Sequence, residues 1–113
     1  MIGLRSVSVG DCGRLFEWVN QPDCLANKAT KNEKISFEEH ENWFSHVSND
    51  PQYYLWIIEK NQIAAGQLRF SPVIEGFEVD IYIAEAYRKN NLAVTALAMG
   101  YQKVCGAFAG KAL

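Results

Sequence analysis

A short segment late in the chain holds the residues best suited to chemistry. It reads AYRKNNLA over residues 86–93 and joins an alternating run at residues 77–84 to an Ala- and Leu-rich stretch at residues 91–109. The alternation predicts a strand and the stretch predicts a helix. Such a junction directs unpaired main-chain N–H groups and the positive end of a helix dipole to one place. With Arg88 and Lys89 beside it, the junction favours a phosphate site; the alternative is that both basic side chains are simply solvated.

The rest of the chain predicts the elements that position this junction. Apolar residues at helical spacing follow two Ser-x-x-acid capping signatures, which indicates one helix that ends before Pro22 and another over residues 36–49. The polar residues 23–34 between them predict a surface binding loop. Runs rich in β-branched and aromatic residues indicate three more strands, with a bulge or a close backbone approach at Gly66. These strands lie at residues 2–7, 53–59 and 62–70, so the predicted order is β-α-α-β-β-β-α in one domain, residues 1–113.

The composition is that of an ordinary globular domain and argues against several classes of partner. The 113 residues are 49% hydrophobic, and 11 Lys and Arg against 13 Asp and Glu give a net charge of −2. Without a basic run, no nucleic-acid footprint and no membrane patch are expected, so small molecules are the favoured partners. No long apolar segment or signal-peptide pattern is present, which predicts a cytoplasmic location. Cys12, Cys24 and Cys105 are scattered, so reduced, mostly buried thiols are expected.

Other chemistries are not favoured by the residues. His40 and His46 are six apart, so they face away from one another on a helix, and no cysteine lies nearby in sequence. Neither a metal site nor a Cys-His nucleophile is therefore predicted. The tail CGAFAGKAL is similar to a P-loop, but it has Cys105 at the first glycine position and Ala112 where Ser or Thr belongs. A P-loop is therefore not predicted.

The element order, together with Arg88-x-x-Asn91-x-Ala93 at the strand-to-helix turn, resembles the GNAT superfamily of acyl-CoA-dependent N-acyltransferases, whose turn reads Gln/Arg-x-x-Gly-x-Gly/Ala. The resemblance covers nearly the whole chain and implies an α/β (α+β) fold, with a mixed, mostly antiparallel sheet and helices on both faces. In detail the chain is most similar to amino-sugar-nucleotide N-acetyltransferases of pseudaminic-acid-type pathways. The family fold continues beyond its third helix, so the resemblance implies a C-terminally truncated domain. The strand at residues 77–84 would then expose an edge open to pairing with a second copy.

The resemblance also implies where acetyl-CoA, the acyl donor, would bind. Main-chain amides of the turn would hold its pyrophosphate, and the preceding strand would pair with its pantetheine arm. The turn residues are Arg88, Lys89, Asn90, Asn91, Leu92 and Ala93, and the strand residues are Ile81, Tyr82 and Ile83. Asn91 stands where the family has a glycine, which places a side chain where the phosphate approaches the backbone.

For catalysis, the resemblance implies that Glu78 is the general base for a primary amine, with Asp80 in reserve. From the residues alone, the favoured explanation of both acids is that they are solvated side chains or partners of Arg69 on the neighbouring strand. The early helices would border the acceptor pocket through Trp18, Asn20, His40 and Trp43, although Trp43 and His40 also fit a packing role. Two functions follow: an N-acetyltransferase acting on a small amine, in particular an amino-sugar nucleotide, or a CoA-binding or interaction module without turnover.

Overall fold

The computed structural model describes residues 1–21, 36–88 and 91–111, and the side chains of the last helix as far as Gly106. Within these residues the chain forms four strands and three α-helices, and short 3-10 turns at Val9–Asp11 and Glu85–Tyr87 precede the first and last helices. The elements are β1 (Ile2–Ser6), α1 (Cys12–Val19), α2 (Phe37–Asn49), β2 (Tyr54–Lys60), β3 (Ile63–Val73), β4 (Gly76–Ile83) and α3 (Leu92–Lys111).

The four strands form one antiparallel sheet in the order β1-β2-β3-β4. Helices cover both faces. Trp56, Leu68 and Phe70 pack beneath α3 on one face, whereas Leu55 and Ile57 pack beneath α1 and α2 on the other. The predicted order and fold class are therefore confirmed, and the described sheet is antiparallel throughout. No helix in the described ranges combines the length and apolar character needed to cross a bilayer.

Local signals account for the ends of several elements. Ser36 caps α2, and its Oγ accepts a hydrogen bond from the Glu39 N–H at 3.2 Å, as its capping signature predicts. Ahead of α1, the buried Asp11 carboxylate accepts hydrogen bonds from Arg5, Ser8 and Arg14. The Arg5 guanidinium is the main reason that the pKa of Asp11 falls from 3.8 to about 2. This network fastens β1 to the start of α1.

Gly66 fulfils both parts of its prediction. The β2–β3 register shifts beside it, because Gly66 pairs with Ile58 while Ala64 pairs with Glu59, so Ala65 is the extra residue of a bulge. A Cβ atom at Gly66 would overlap the Tyr82 carbonyl oxygen of β4. The close approach of β3 to the end of β4 therefore requires glycine.

The end of β3 differs from the prediction. β3 continues through Pro72 to Val73 rather than ending at Phe70. β2 begins at Tyr54, opposite Phe70, and so does not extend alongside Pro72. Proline is tolerated there because no β2 residue is present to accept a hydrogen bond from an N–H at that position. On α3, Lys103 is exposed and Met99 is half-buried. The buried stripe of α3 consists of Leu92, Ala96, Gly100 and Val104. A side chain at Gly100 would collide with Leu68, Phe70 and Trp56 of the sheet.

Candidate active site

The start of α3 can present main-chain N–H groups to an anion. Asn91 adopts a left-handed conformation with φ of 57°, and its carbonyl accepts hydrogen bonds from the Thr95 N–H at 3.1 Å and the Thr95 Oγ1 at 3.2 Å. The N–H groups of Leu92 and Ala93, in the first turn of α3, have no acceptor within the helix. Asparagine suits this position because it enters the left-handed region more readily than most residues. The predicted roles of Lys89 and Asn90 lie outside the described residues.

The Arg88 side chain is fastened to the end of β4. Its Nε donates to the Ile83 carbonyl at 2.8 Å, and its guanidinium lies 5.4 Å from the centre of the Tyr82 ring. The Ala84 N–H donates to the Ala65 carbonyl at 2.8 Å, so the Ile83 carbonyl faces away from β3. A ligand that pairs with this edge would share the Ile83 carbonyl with Arg88 or displace its side chain. The Arg88 charge is therefore held at the end of β4.

β4 divides its side chains between the two faces of the sheet. Phe77, Ile81 and Ile83 pack into the core beneath α3. Glu78, Asp80 and Tyr82 face α1 and α2, opposite Ser71, Arg69 and Gln67 of β3. These six residues form a patch that we call the polar face.

The two acids of the polar face differ in their partners. Asp80 Oδ2 lies 3.4 Å from Arg69 Nη2 and 3.4 Å from Gln67 Nε2. Asp80 therefore pairs with Arg69, one of the alternatives that the residues left open. Glu78 is exposed, and within the described ranges it forms no ion pair. Of the two carboxylates, Glu78 is the one available to a ligand.

Two tryptophans border the polar face. The Trp18 ring centre lies 5.8 Å from that of Tyr82, and the Trp43 ring lies 5.2 Å from the Arg69 guanidinium carbon. Asn20 is half-buried at the C-terminal cap of α1. Together α1 and α2 provide aromatic walls, and β4 provides the acids.

His40 lies away from solvent between the two early helices. Only 3% of it is exposed, its Nε2 donates to the Cys12 carbonyl at 3.0 Å, and its ring contacts Phe16 and Phe44. This placement favours the packing alternative over the predicted substrate contact. Sequence spacing puts His40 on the same helix as Trp43, but only the packing of α1 on α2 shows that it is covered.

The remaining reactive groups form no second centre in the part of the chain that the structure covers. No group of three metal-ligating side chains occurs there. Cys12 is half-buried, and burial raises the pKa of its thiol. Cys105 is exposed, so the expectation of a buried thiol is wrong at that position. Cys24 lies outside the described residues.

Comparison with known proteins places the chain in a familiar group of folds. The model of the acetyltransferase (GNAT) domain matches residues 2–107. An acetyltransferase from Thermus thermophilus superposes with a TM-score of 0.73 at 19% identity, covering 90% of this chain and 68% of that one. No curated protein sequence matches the chain.

Two further solved structures contain a cofactor. Spermidine N-acetyltransferase from Vibrio cholerae, in complex with CoA and spermine, has a TM-score of 0.75 at 18% identity, covering 88% of this chain and 60% of that one. yncA from Salmonella typhimurium, with its cofactor acetyl-CoA, has a TM-score of 0.69 at 16% identity and the same coverage. At these identities the likeness establishes the fold.

Proposed function

The chain belongs to the GNAT acetyltransferase family, and from this premise we propose that it transfers the acetyl group of acetyl-CoA to a primary amine. The observation that carries the proposal is that Glu78 and the turn at Asn91 lie on one continuous path along β4. From Glu78 to the end of β4 at Ile83 is roughly 17 Å of strand. A ligand with its diphosphate at the turn and an extended arm along β4 brings its far end toward Glu78.

The turn fits the diphosphate of acetyl-CoA, which supplies the activated acyl group as a thioester. Leu92 and Ala93 present first-turn N–H groups, and Arg88 adds a positive charge beside them. We place the pantetheine arm along the outer main-chain edge of β4, at Ile81 and Ile83. The Salmonella structure contains acetyl-CoA and the Vibrio structure contains CoA. We propose that this chain binds the same cofactor.

Glu78 is the general base in this proposal. An ammonium group must lose a proton before its nitrogen can attack a thioester, and an exposed carboxylate accepts that proton directly or through one water. Asp80 is less suited because it forms an ion pair with Arg69 and its Oδ2 accepts a hydrogen bond from Gln67. Trp18, Tyr82 and Trp43 supply flat apolar surfaces for the rest of the acceptor. Together with Asn20 at the end of α1, they support an amino-sugar nucleotide as acceptor. A cytoplasmic location remains a prediction.

A CoA-binding module without turnover is the second candidate. It is favoured by Asn91, whose left-handed backbone carries a side chain where a phosphate would approach the turn. The chain spans 60–68% of the three structures compared above. Within the described residues β4 pairs with β3 alone, so we also keep the prediction that its outer edge pairs with a second copy of the chain.

Glu78→Gln separates catalysis from binding. We expect the wild-type chain to bind acetyl-CoA in calorimetry and to acetylate a 4-amino sugar nucleotide. Glu78→Gln should lower kcat by roughly 100-fold or more while leaving the Kd of acetyl-CoA nearly unchanged. The matched control is Glu75→Gln, which removes an exposed charge at the β3–β4 turn and should change neither value. Binding without turnover for any amine would establish the module, and absence of binding at millimolar acetyl-CoA would refute both candidates.

A further inference from the structure

Arg69 lies on the polar face and is held from three sides. Its Nε donates to Ser71 Oγ at 3.0 Å, its Nη2 lies 3.4 Å from Asp80 Oδ2, and its guanidinium stacks on Trp43 at 5.2 Å. Its side chain is 21% exposed. A guanidinium restrained in this way loses little conformational freedom when it binds a ligand.

The contacts of Arg69 engage only part of its donor set. A guanidinium has five N–H bonds, and among the described residues no hydrogen bond uses those on Nη1. The separation of 3.4 Å from Asp80 exceeds the roughly 2.7–2.9 Å typical of a charge-assisted bond. Asp80 is also 49% exposed and is shared with Gln67. Arg69 therefore retains both charge and free donors for an anion.

The register of the sheet fixes the distance from Arg69 to the proposed base. Ser71 lies opposite Glu78, and Arg69 lies opposite Asp80. Arg69 and Glu78 are thus diagonal neighbours on one face, with Cβ atoms about 7 Å apart. When the amine of a ligand contacts Glu78, a second group about 7 Å from that amine lies next to Arg69.

From this placement we propose that Arg69 is a specificity-determining residue that selects amine acceptors with an anionic phosphate or carboxylate about 7 Å from the reacting nitrogen. The amine end of this inference rests on the proposed function of Glu78. A second ammonium group at that distance would meet the like charge of Arg69, so polyamines are disfavoured. An amine and a phosphate on opposite carbons of a six-membered ring meet the requirement.

Binding of a matched ligand pair tests the proposal without turnover. The ligands are aminopropyl phosphate and aminopropanol, measured by calorimetry and by the NMR shift of the Arg69 Nε–H. CoA is left out because its phosphates would compete. We expect the phosphate ester to bind about 10-fold more tightly or better, and to move the Nε–H signal. Arg69→Gln should abolish the preference, and Arg69→Lys should keep part of it because the charge remains.

Lys103→Gln, which removes an exposed charge from α3 on the other face, is the matched control and should leave the preference intact. Melting curves of both Arg69 variants show whether the fold is retained. Equal binding of the two ligands, a preference that survives in Arg69→Gln, or tighter binding of spermidine than of the phosphate ester would overturn the inference. Acetylation of both amines at equal rates would refute the role of Arg69 and leave the proposed function standing. Arg69-dependent binding without acetyl transfer would support the role of Arg69 and refute the proposed function.

Discussion

Replacing Gly66 with alanine adds one methyl group where β3 meets the end of β4. The new Cβ would overlap the Tyr82 carbonyl oxygen and lie 3.2 Å from both Cα and Cδ1 of Ile83. Two of these three atoms belong to the main chain and cannot rotate away, so the strands must separate. Overpacking of this kind costs about 2–3 kcal/mol, of which the lower entropy of the unfolded alanine chain offsets roughly 0.5 kcal/mol.

The net loss of about 2 kcal/mol corresponds to a Tm lower by roughly 8–12 °C for a domain of this size. Because the end of β4 leads into the turn at Arg88 and Asn91, Gly66→Ala should also weaken acetyl-CoA binding. Gly3→Ala is the matched control, since it makes the same change in a strand with nothing within 4 Å of the added Cβ. Urea denaturation followed by circular dichroism measures the stabilities. If Gly66→Ala proves as stable as Gly3→Ala, the close approach of β3 and β4 is wrong.

Two further predictions concern the starts of the first and last helices, α1 and α3. Asp11→Asn should lower the free energy of unfolding at pH 7 by about 1–2 kcal/mol, a value reduced by solvent screening because Arg5 and Arg14 are 37% and 44% exposed. Since the pKa of Asp11 is about 2 against its ordinary 3.8, this stabilisation is complete above pH 3.8 and is lost as the pH falls toward 2. Urea titrations of both proteins across that range measure the difference, and a constant difference would contradict the ion-pair account. Asn91→Ala should cost about 1 kcal/mol because alanine disfavours the left-handed region, whereas Asn91→Gly should bind acetyl-CoA more tightly. Calorimetry that finds equal affinities for the two variants would refute this reading of the turn.

Local sequence signals predict much of the fold. Ser36 and Glu39 are neighbours along the chain, so the helix cap that they form can be recognised without any tertiary contact. The alternation in β4 likewise separates its acids from its apolar residues, and Gly66 interrupts a strand pattern where the bulge occurs. Each of these features depends on residues close in sequence.

The features that sequence could not predict depend on distances between elements. β3 runs past Phe70 because it continues to pair with β4 as far as Val73, which is a property of the pair and not of either strand. The burial of Gly100 follows from how closely α3 lies on the sheet. In the site, the bond from Arg88 to Ile83 and the stacking of Arg69 on Trp43 join residues whose contact only the folded chain reveals. Opposite charges on adjacent strands signal the pairing of Arg69, but they do not show its free donors.

The central claim is that main-chain N–H groups at the start of α3 hold the diphosphate of CoA. Proton–nitrogen correlation NMR during a CoA titration tests it most directly. The amide signals of Asn91, Leu92 and Ala93 should shift with a single saturation curve, while those of Gly3 and Leu4 in β1, at the opposite edge of the sheet, stay in place. Unchanged signals from the three turn amides at millimolar CoA would contradict the claim.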